Sequence, residues 1–508
     1  MKEKLRNIIQ YFFGSIFLAV ACLIPIAVIY CLRTYGQLEI GFLLFMAMSP
    51  LEGSNMEPFI KLIILAILII TGACIFGIIL AKRSNIPGKL VIEFGKCRFR
   101  FAFSLFHRFY ALWMGILMLL SAAICVKVMK IDDYIRHQLE TTTFFEDNYI
   151  DPETVTLTFP EEKRNLIYIV LESMEITYAD PAHGGNEYAN FIPNLIALQE
   201  ENIGFTTQKD KLNGAICTNG SEWTFGALVT QTSGIPVLLP SSKAVNDMGQ
   251  FDDCLPGAYS IGQILENQGY TQEFFIGSDA TFGGRNKYFK QHGNYRVRDY
   301  YYARKHEWIP HDYYEFWGYE DCKLYDFAKN EICALAEENQ PFNFTMLTVD
   351  THFFNGYKCE LCEDKFDNQY ANVIACADRQ LYDFINWIKE QPFYENTTIV
   401  ICGDHPTMDD AYMQSTCVSA DYQRKVYTCV IHPATTYQEE QDRVFTTMDL
   451  FPTTLGAMGV EIEGNRLGYG TNLFSDTPSL VEELGLEKLN EEFSKNCPGY
   501  NETILDGN

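Results

Sequence analysis

Three strongly apolar stretches of this chain carry no charged residue: 8–32 (IIQYFFGSIFLAVACLIPIAVIYCL), 62–81 (LIILAILIITGACIFGIILA) and 109–126 (FYALWMGILMLLSAAICV). The first two are long enough to span a bilayer and the third is somewhat shorter. Backbone polar groups in hydrocarbon need internal partners, so each run is predicted to be a helix, with Pro25 as a kink point in the first. A cleaved signal peptide is the ordinary alternative for the first run, but its apolar core is too long for that and no small-residue cleavage site stands out.

Basic charge is scarce beyond the third run. Residues 1–130 hold 14 Lys+Arg and 5 Asp+Glu, a net of +9; taking these from the chain totals of 39 and 65 leaves 25 and 60 for residues 131–508, a net of −35. A domain that acidic is excluded as a nucleic-acid binder, which needs a basic face. The acidity bears on solubility and says little about fold. Internal repeats and low-complexity segments are absent too, and 508 residues are too many for one ordinary domain.

What basic charge there is sets the orientation. Lys2, Lys4 and Arg6 precede the first run, and Lys82, Arg83, Lys89, Lys96, Arg98, Arg100 and Arg108 lie between the second and third; the intervening loop has Arg33 against Glu39, Glu52 and Glu57. The N-terminus and the basic loop are therefore predicted to face the cytoplasm, and everything after residue 130 the outside. Residues 38–50 are apolar but short, and are expected to lie in the outer interface. The expected organisation is a membrane region (1–130), a polar connector (131–160), an extracytoplasmic catalytic domain (161–475) and an acidic tail (476–508). Eleven of the sixteen cysteines fall outside, where disulfides are permitted. Cys359 and Cys362 form a CxxC pair; with no second CxxC following, a local disulfide or free thiols is the reading favoured over a zinc or redox pair.

The exterior part alternates apolar strand-like runs (NLIYIVL at 165–171, TQEFFIG at 271–277, FNFTMLTVD at 342–350, TTIVICGD at 397–404, VYTCVIHP at 426–433) with helix-like segments (FIPNLIALQEEN, SIGQILENQGY, NQYANVIACADRQLYDFINWIKEQP, DLFPTTLGAMG). That pattern predicts an α/β domain with a largely parallel sheet, in which sites form beyond the carboxyl ends of the strands. Polar reactive residues stand where this requires: Glu172 after IYIVL, Asp279 after FFIGS, His352 after MLTVDT, and Asp404 with His405 after IVICG. Asp404-His405 and Glu172 are candidate metal ligands, although a structural role or a helix-start charge is the ordinary reading of each alone. Thr224, in NGSEWTFGALVTQTSGIP, reads as an N-cap or as a nucleophile whose hydroxyl a divalent metal activates, with the helix start receiving a phosphate. Arg285 suits bidentate phosphate binding, and His352 suits proton donation to a leaving oxygen; singly, each is as easily a surface residue.

Taken in order, the blocks NLIYIVLESMEITY, EWTFGALVTQTSGIPV, CLPGAYSIGQILENQGY, FFIGSDATFGGRNKYFKQHG, LTVDTHFFNGY, IVICGDH and RLGYGTNLF resemble the lipoteichoic acid synthase and phosphoglycerol transferase I family of the alkaline phosphatase/sulfatase superfamily, and the phosphoglycerol transferase I branch above all. PLEGSN (50–55) is similar to a segment many members carry in an outer loop. The resemblance implies an alkaline phosphatase/sulfatase-like domain in which Glu172, Thr224, Asp404 and His405 bind one divalent metal, commonly Mn²⁺ with Zn²⁺ or Mg²⁺ as alternatives. It implies Thr224 as nucleophile, Arg285 and His352 as contacts to a phosphoglycerol group, and Asp279 as a lesser one. The implied reaction moves glycerophosphate from phosphatidylglycerol to a glycan or glycerophosphate-polymer acceptor. Three departures stand out: Gly283 where lipoteichoic acid synthases tend to have tryptophan, three membrane helices instead of five, and the CxxC. A phosphoethanolamine transferase also uses a metal-bound threonine and remains the nearest alternative. For a sulfatase, CTNGSEW (217–223) lacks the Pro and Arg of the formylglycine motif. An inactive membrane sensor is the non-enzyme alternative, and it would be favoured by a missing ligand.

Overall fold

The computed structural model describes residues 2–35, 57–83, 89–94, 97–208, 210–239, 248–437 and 442–508. They fall into two compact units, one reaching to Arg136 and the other running from His137 to Asn508. The first contains helices α1 (Lys2–Tyr35), α2 (Glu57–Arg83) and α3 (Tyr110–Val128). Within them Asn7–Arg33, Ile60–Lys82 and Tyr110–Val128 are long and apolar enough to cross a membrane. Ile8, Phe12, Ile63, Leu68, Leu119 and Ile124 point outward and are exposed, as a lipid-facing surface requires. The expected interfacial stretch 38–50 and the PLEGSN segment lie outside the described residues.

The second unit is an α/β domain. Its central sheet is built from β1 (Asn165–Leu171), β2 (Gly214–Ala215), β3 (Thr271–Ile276), β4 (Arg296–Arg298), β5 (Phe342–Leu347), β6 (Thr397–Gly403) and β7 (Val426–Ile431), in the order β2-β7-β6-β1-β5-β3-β4. The five strands from β6 to β4 run parallel, while β7 is antiparallel to β6 and β2 to β7. β1 explains the layering. Leu166, Tyr168 and Val170 enter one hydrophobic core while Ile167, Ile169 and Leu171 enter the other. Successive side chains of a strand leave opposite faces, and a parallel sheet covered on both faces needs a continuous apolar run. The same division holds in β6, with Val400 and Cys402 on one face and Ile399 and Ile401 on the other.

The covering helices include α4 (Pro193–Glu201), α5 (Thr224–Ser233), α6 (Asp321–Glu337), α7 (Gln369–Lys389), α8 (Leu450–Ala457), α9 (Leu480–Leu484) and α10 (Leu486–Ser494). α4 begins with Pro193 at its first position, where the missing N–H costs nothing. α5 ends at Gly234, whose φ is +64° and whose added Cβ would lie 2.9 Å from the Leu467 carbonyl oxygen, so glycine is required there.

The segment expected to be a tail, 476–508, is helical and packed. Leu480, Val481, Leu489, Phe493, Tyr500 and Ile504 belong to the same hydrophobic core as β1. In the segment expected as a polar connector, Phe144 and Phe145 are buried and contact Tyr469, Phe493 and Tyr500 through their rings. Polar composition concealed both because few apolar residues, correctly spaced, make the contact.

Candidate metal centre and active site

Strand pairing brings the candidate residues to one edge. Leu171 at the end of β1 pairs with Gly403 at the end of β6, so Glu172 and Asp404 leave neighbouring strands side by side. β5 lies on the other side of β1 and β3 beyond it, with Leu347 opposite both Val170 and Ile276; the segments carrying His352 and Asp279 therefore leave the same edge. Gly403 permits the close approach: a Cβ there would stand 1.9 Å from the Met174 carbonyl oxygen.

Asp404 and His405 are fully buried, and Glu172 is 3% exposed. Asp404 Oδ1 accepts hydrogen bonds from the backbone N–H groups of Ser173 and His405, both 2.7 Å. Its Oδ2 has no hydrogen-bond partner although buried, and lies 3.4 Å from His405 Nε2. Glu172 Oε1 accepts from the Ser173 hydroxyl at 2.7 Å and stands 3.7 Å from the same Nε2. The Nδ1 of His405 is 3.0 Å from the Pro406 carbonyl; a carbonyl only accepts, so Nδ1 carries a proton and Nε2 is the nitrogen turned to the two carboxylates.

Thr224 is the first residue of α5, and its neighbour Trp223 occupies the cap position without a side-chain cap bond. The Thr224 hydroxyl does not cap. It lies 3.4 Å from Glu172 Oε2 and 3.4 Å from His405 Nε2.

The electrostatics are those of a pocket short of positive charge. Burial, reinforced by Glu172, pushes Asp404 up to about 7. Burial works against charge on the His405 ring, but the carboxylates of Asp404 and Glu172 outweigh it and raise its pKa. Two buried carboxylates, an orphaned oxygen and an inward-facing imidazole nitrogen fit a divalent cation. One ligand atom from each of Glu172, Asp404 and His405 lies within 4.8 Å of the others, and the Thr224 hydroxyl, 3.4 Å from Glu172 and His405, could be a fourth donor. The donor set is hard oxygen with one imidazole.

Arg285 opens the helix Arg285–Gln291 and is buried. Its Nε donates to the Phe282 carbonyl at 2.9 Å and its Nη2 to the Asp279 carbonyl at 2.8 Å, and the guanidinium lies 5.3 Å from the Phe282 ring centroid. Burial lowers its pKa to about 10, against the pull of Glu172, Asp279 and Asp404, so it stays charged at neutral pH. His352 sits in an aromatic collar, its ring centroid 4.6 Å from Trp317 and 4.8 Å from Phe353. Burial brings it down to about 4, and its Nδ1 is 2.8 Å from the Phe353 carbonyl. The Asp279 carboxylate is engaged locally, accepting from the Thr281 N–H at 2.8 Å and the Thr281 hydroxyl at 2.7 Å; its backbone carbonyl is what steadies Arg285. Sequence reasoning missed Ser173, fully buried with φ +50°, which fixes both carboxylates. Its place directly after a strand-end carboxylate was the available signal.

The fold and site define an α/β protein with a buried Glu-Asp-His constellation, able to hold a cation, at the carboxyl edge of its sheet. Residues 164–460 match the family model described as Sulfatase, more than half of the chain, and the chain belongs to the sulfatase family. A phosphoglycerol transferase I from Salmonella choleraesuis (strain SC-B67) is 31% identical over 261 residues, 50% of this chain and 32% of that protein. The match thus spans about a third of the length of the curated relatives. Among solved structures, the lipoteichoic acid synthase from Listeria monocytogenes aligns with a TM-score of 0.47 at 19% identity, covering 63% of this chain and 79% of that one. The lipooligosaccharide phosphoethanolamine transferase from Neisseria meningitidis aligns with a TM-score of 0.47 at 12% identity, covering 90% and 84%.

Proposed function

We propose that this chain is a membrane-anchored phosphoglycerol transferase, which takes glycerophosphate from phosphatidylglycerol onto Thr224 and passes it to a glycan or polyglycerophosphate acceptor outside the cytoplasm. The observation that carries this reading is the Thr224 hydroxyl. It stands at the first position of a ten-residue helix, 3.4 Å from both Glu172 and His405, where N–H groups favour an anionic phosphate. The printed name of the curated relatives, phosphoglycerol transferase I, supports the identity of the transferred group.

Glu172, Thr224, Asp404 and His405 hold the cation, which we take to be Mn²⁺. A divalent ion bound there supplies charge neutralisation and a lowered pKa for the threonine hydroxyl. Arg285 grips the phosphate. Thr224 Oγ1 attacks phosphorus; the Oγ–P bond forms as the bond from phosphorus to the diacylglycerol oxygen breaks, and the proton given up by the Thr224 hydroxyl ends on that oxygen, which leaves as diacylglycerol. The acceptor hydroxyl then attacks phosphorus as the Oγ–P bond breaks, and the proton it gives up ends on the departing Thr224 oxygen. Because His352 carries its proton on Nδ1 toward the Phe353 carbonyl, its Nε2 is an acceptor for the incoming hydroxyl's proton. Phosphoryl transfer of this kind needs mainly positioning and charge stabilisation.

The Lys/Arg distribution supports a cytoplasmic N-terminus and an exterior catalytic domain. The test uses membranes containing the chain and labelled phosphatidylglycerol. We expect Thr224→Ala to abolish glycerophosphate transfer, and undiminished transfer would overturn the mechanism. Mass spectrometry of the acceptor separates a phosphoglycerol product from the amine-bearing product of a phosphoethanolamine transferase.

A further inference from the structure

Away from the centre just described, a second group of ligating side chains is gathered by the fold. The segment 351–368, which follows β5 and begins just before His352, carries Cys359 and Cys362; Cys376 comes from α7 and Cys322 from the first turn of α6. Cys359 Sγ lies 3.6 Å from Cys362 Sγ and 3.9 Å from Cys376 Sγ. The three sulfurs are all within 4.8 Å of one another; the Cys322 thiol, which lies 3.7 Å from Glu320 Oε1, is a neighbour of Cys359 outside that group.

These spacings discriminate between chemistries. Sulfurs about 2.3 Å from a tetrahedral Zn²⁺ stand about 3.8 Å apart, whereas a disulfide joins two sulfurs at about 2.05 Å and leaves the others out. Cys359 and Cys376 are buried, so their thiols are enclosed together with few alternatives for partners. The surroundings suit thiolates. The Cys362 N–H donates to the Cys359 carbonyl at 3.1 Å, closing the CxxC turn. Gln380 Nε2 donates to Cys376 at 3.4 Å and to Cys359 at 3.8 Å, and Arg379 Nη2 to Cys376 at 3.8 Å.

We propose that Cys359, Cys362 and Cys376, with Cys322 turned from Glu320 to complete the set, form a structural Zn²⁺ site that clips the His352 segment to α6 and α7. Four thiolates select a soft ion, and zinc with four protein ligands is closed to substrate. The clip acts on a junction that is already latched. Asp321, beside Cys322, accepts from the backbone N–H groups of Val349 at 2.8 Å and Asp350 at 3.0 Å, tying the start of α6 to the end of β5. The zinc site would fix the far side of the same segment, and so the position of the His352 ring. The proposal stands whether or not the transferase reading does.

The test uses the full chain purified in detergent without chelator. Substitution with Co²⁺ should give near-ultraviolet thiolate-to-cobalt charge-transfer bands, which an oxygen-rich centre does not produce. The bands should persist in Asp404→Asn, persist with a shift in Cys362→His, and vanish in Cys376→Ser. Iodoacetamide, applied without reductant, should label the four cysteines only after a chelator is added. Cobalt spectra without thiolate bands, labelling that needs a reductant, or labelling that zinc does not slow would each overturn the proposal. The wild-type spectrum and labelling decide the matter even if a variant fails to fold.

Discussion

A threonine at the first residue of a helix is ordinarily a cap, and residue type alone does not separate that role from a nucleophile. In this chain the separation comes from direction. The Thr224 hydroxyl faces a carboxylate and an imidazole of two other segments instead of its own helix. Ser173 shows how much depends on a residue that touches no substrate. Its hydroxyl holds Glu172 and its N–H holds Asp404, so Ser173→Ala should weaken cation binding or activity by about 10-fold to 100-fold, as loss of a supporting hydrogen bond to a ligand does. Metal titration of the purified variant would measure it, and Ser173→Thr, which keeps the hydroxyl, should recover part of the loss. Glu172, Asp404 and His405 were legible because each follows an apolar run. Ser173 was not, since its role depends on a left-handed backbone that no local pattern announces. The CxxC was visible, but Cys322 and Cys376 lie on two separate helices and have no motif spacing to either of its cysteines.

The elements place these residues through register. The pairing of Leu171 with Gly403 sets Glu172 beside Asp404, and Gly403 itself has no room for a methyl group, with Met174 oxygen 1.9 Å from the Cβ position. Gly403→Ala should therefore displace the strand end, destabilise the domain by about 1–3 kcal/mol and lower cation affinity, read by thermal unfolding with and without metal. A second junction predicts a pH dependence. Asp378 of α7 accepts from the N–H groups of Asn194 and Leu195 and from the Asn194 side chain, serving the first turn of α4 in place of a local cap. Burial raises it from 3.8 to about 6. The folded form thus keeps a proton that the unfolded chain has lost between those values. Stability from this group is full below the lower value and is lost as pH rises through the upper one. The Tm advantage of wild type over Asp378→Ala should shrink from about pH 4 to about pH 7. The parallel strands were legible from their apolar runs, whereas two-residue β2 and the reversed direction of β7 were not, because short edge pairings depend on tertiary contacts.

At the scale of the molecule, the chain joins a unit with apolar, outward-facing helices to an acidic α/β domain. Net charge separated the two in the sequence, but composition hid that residues 476–508 are part of the domain's core. Burial of Leu480, Val481, Leu489, Phe493, Tyr500 and Ile504, at about 1.5–3 kcal/mol each, rivals the whole stability of a domain, about 5–15 kcal/mol. A chain ending at residue 475 should therefore aggregate or lose its cooperative unfolding transition, as calorimetry or limited proteolysis would show. The central claim concerns the full-length protein and one bond. Enzyme mixed with phosphatidylglycerol in the absence of acceptor, quenched in acid and digested, should yield the Thr224 peptide bearing a glycerophosphoryl group, and the adduct should disappear when acceptor is added. Full turnover with no adduct on that peptide, and with the Thr224→Ala chain equally active, would contradict the account.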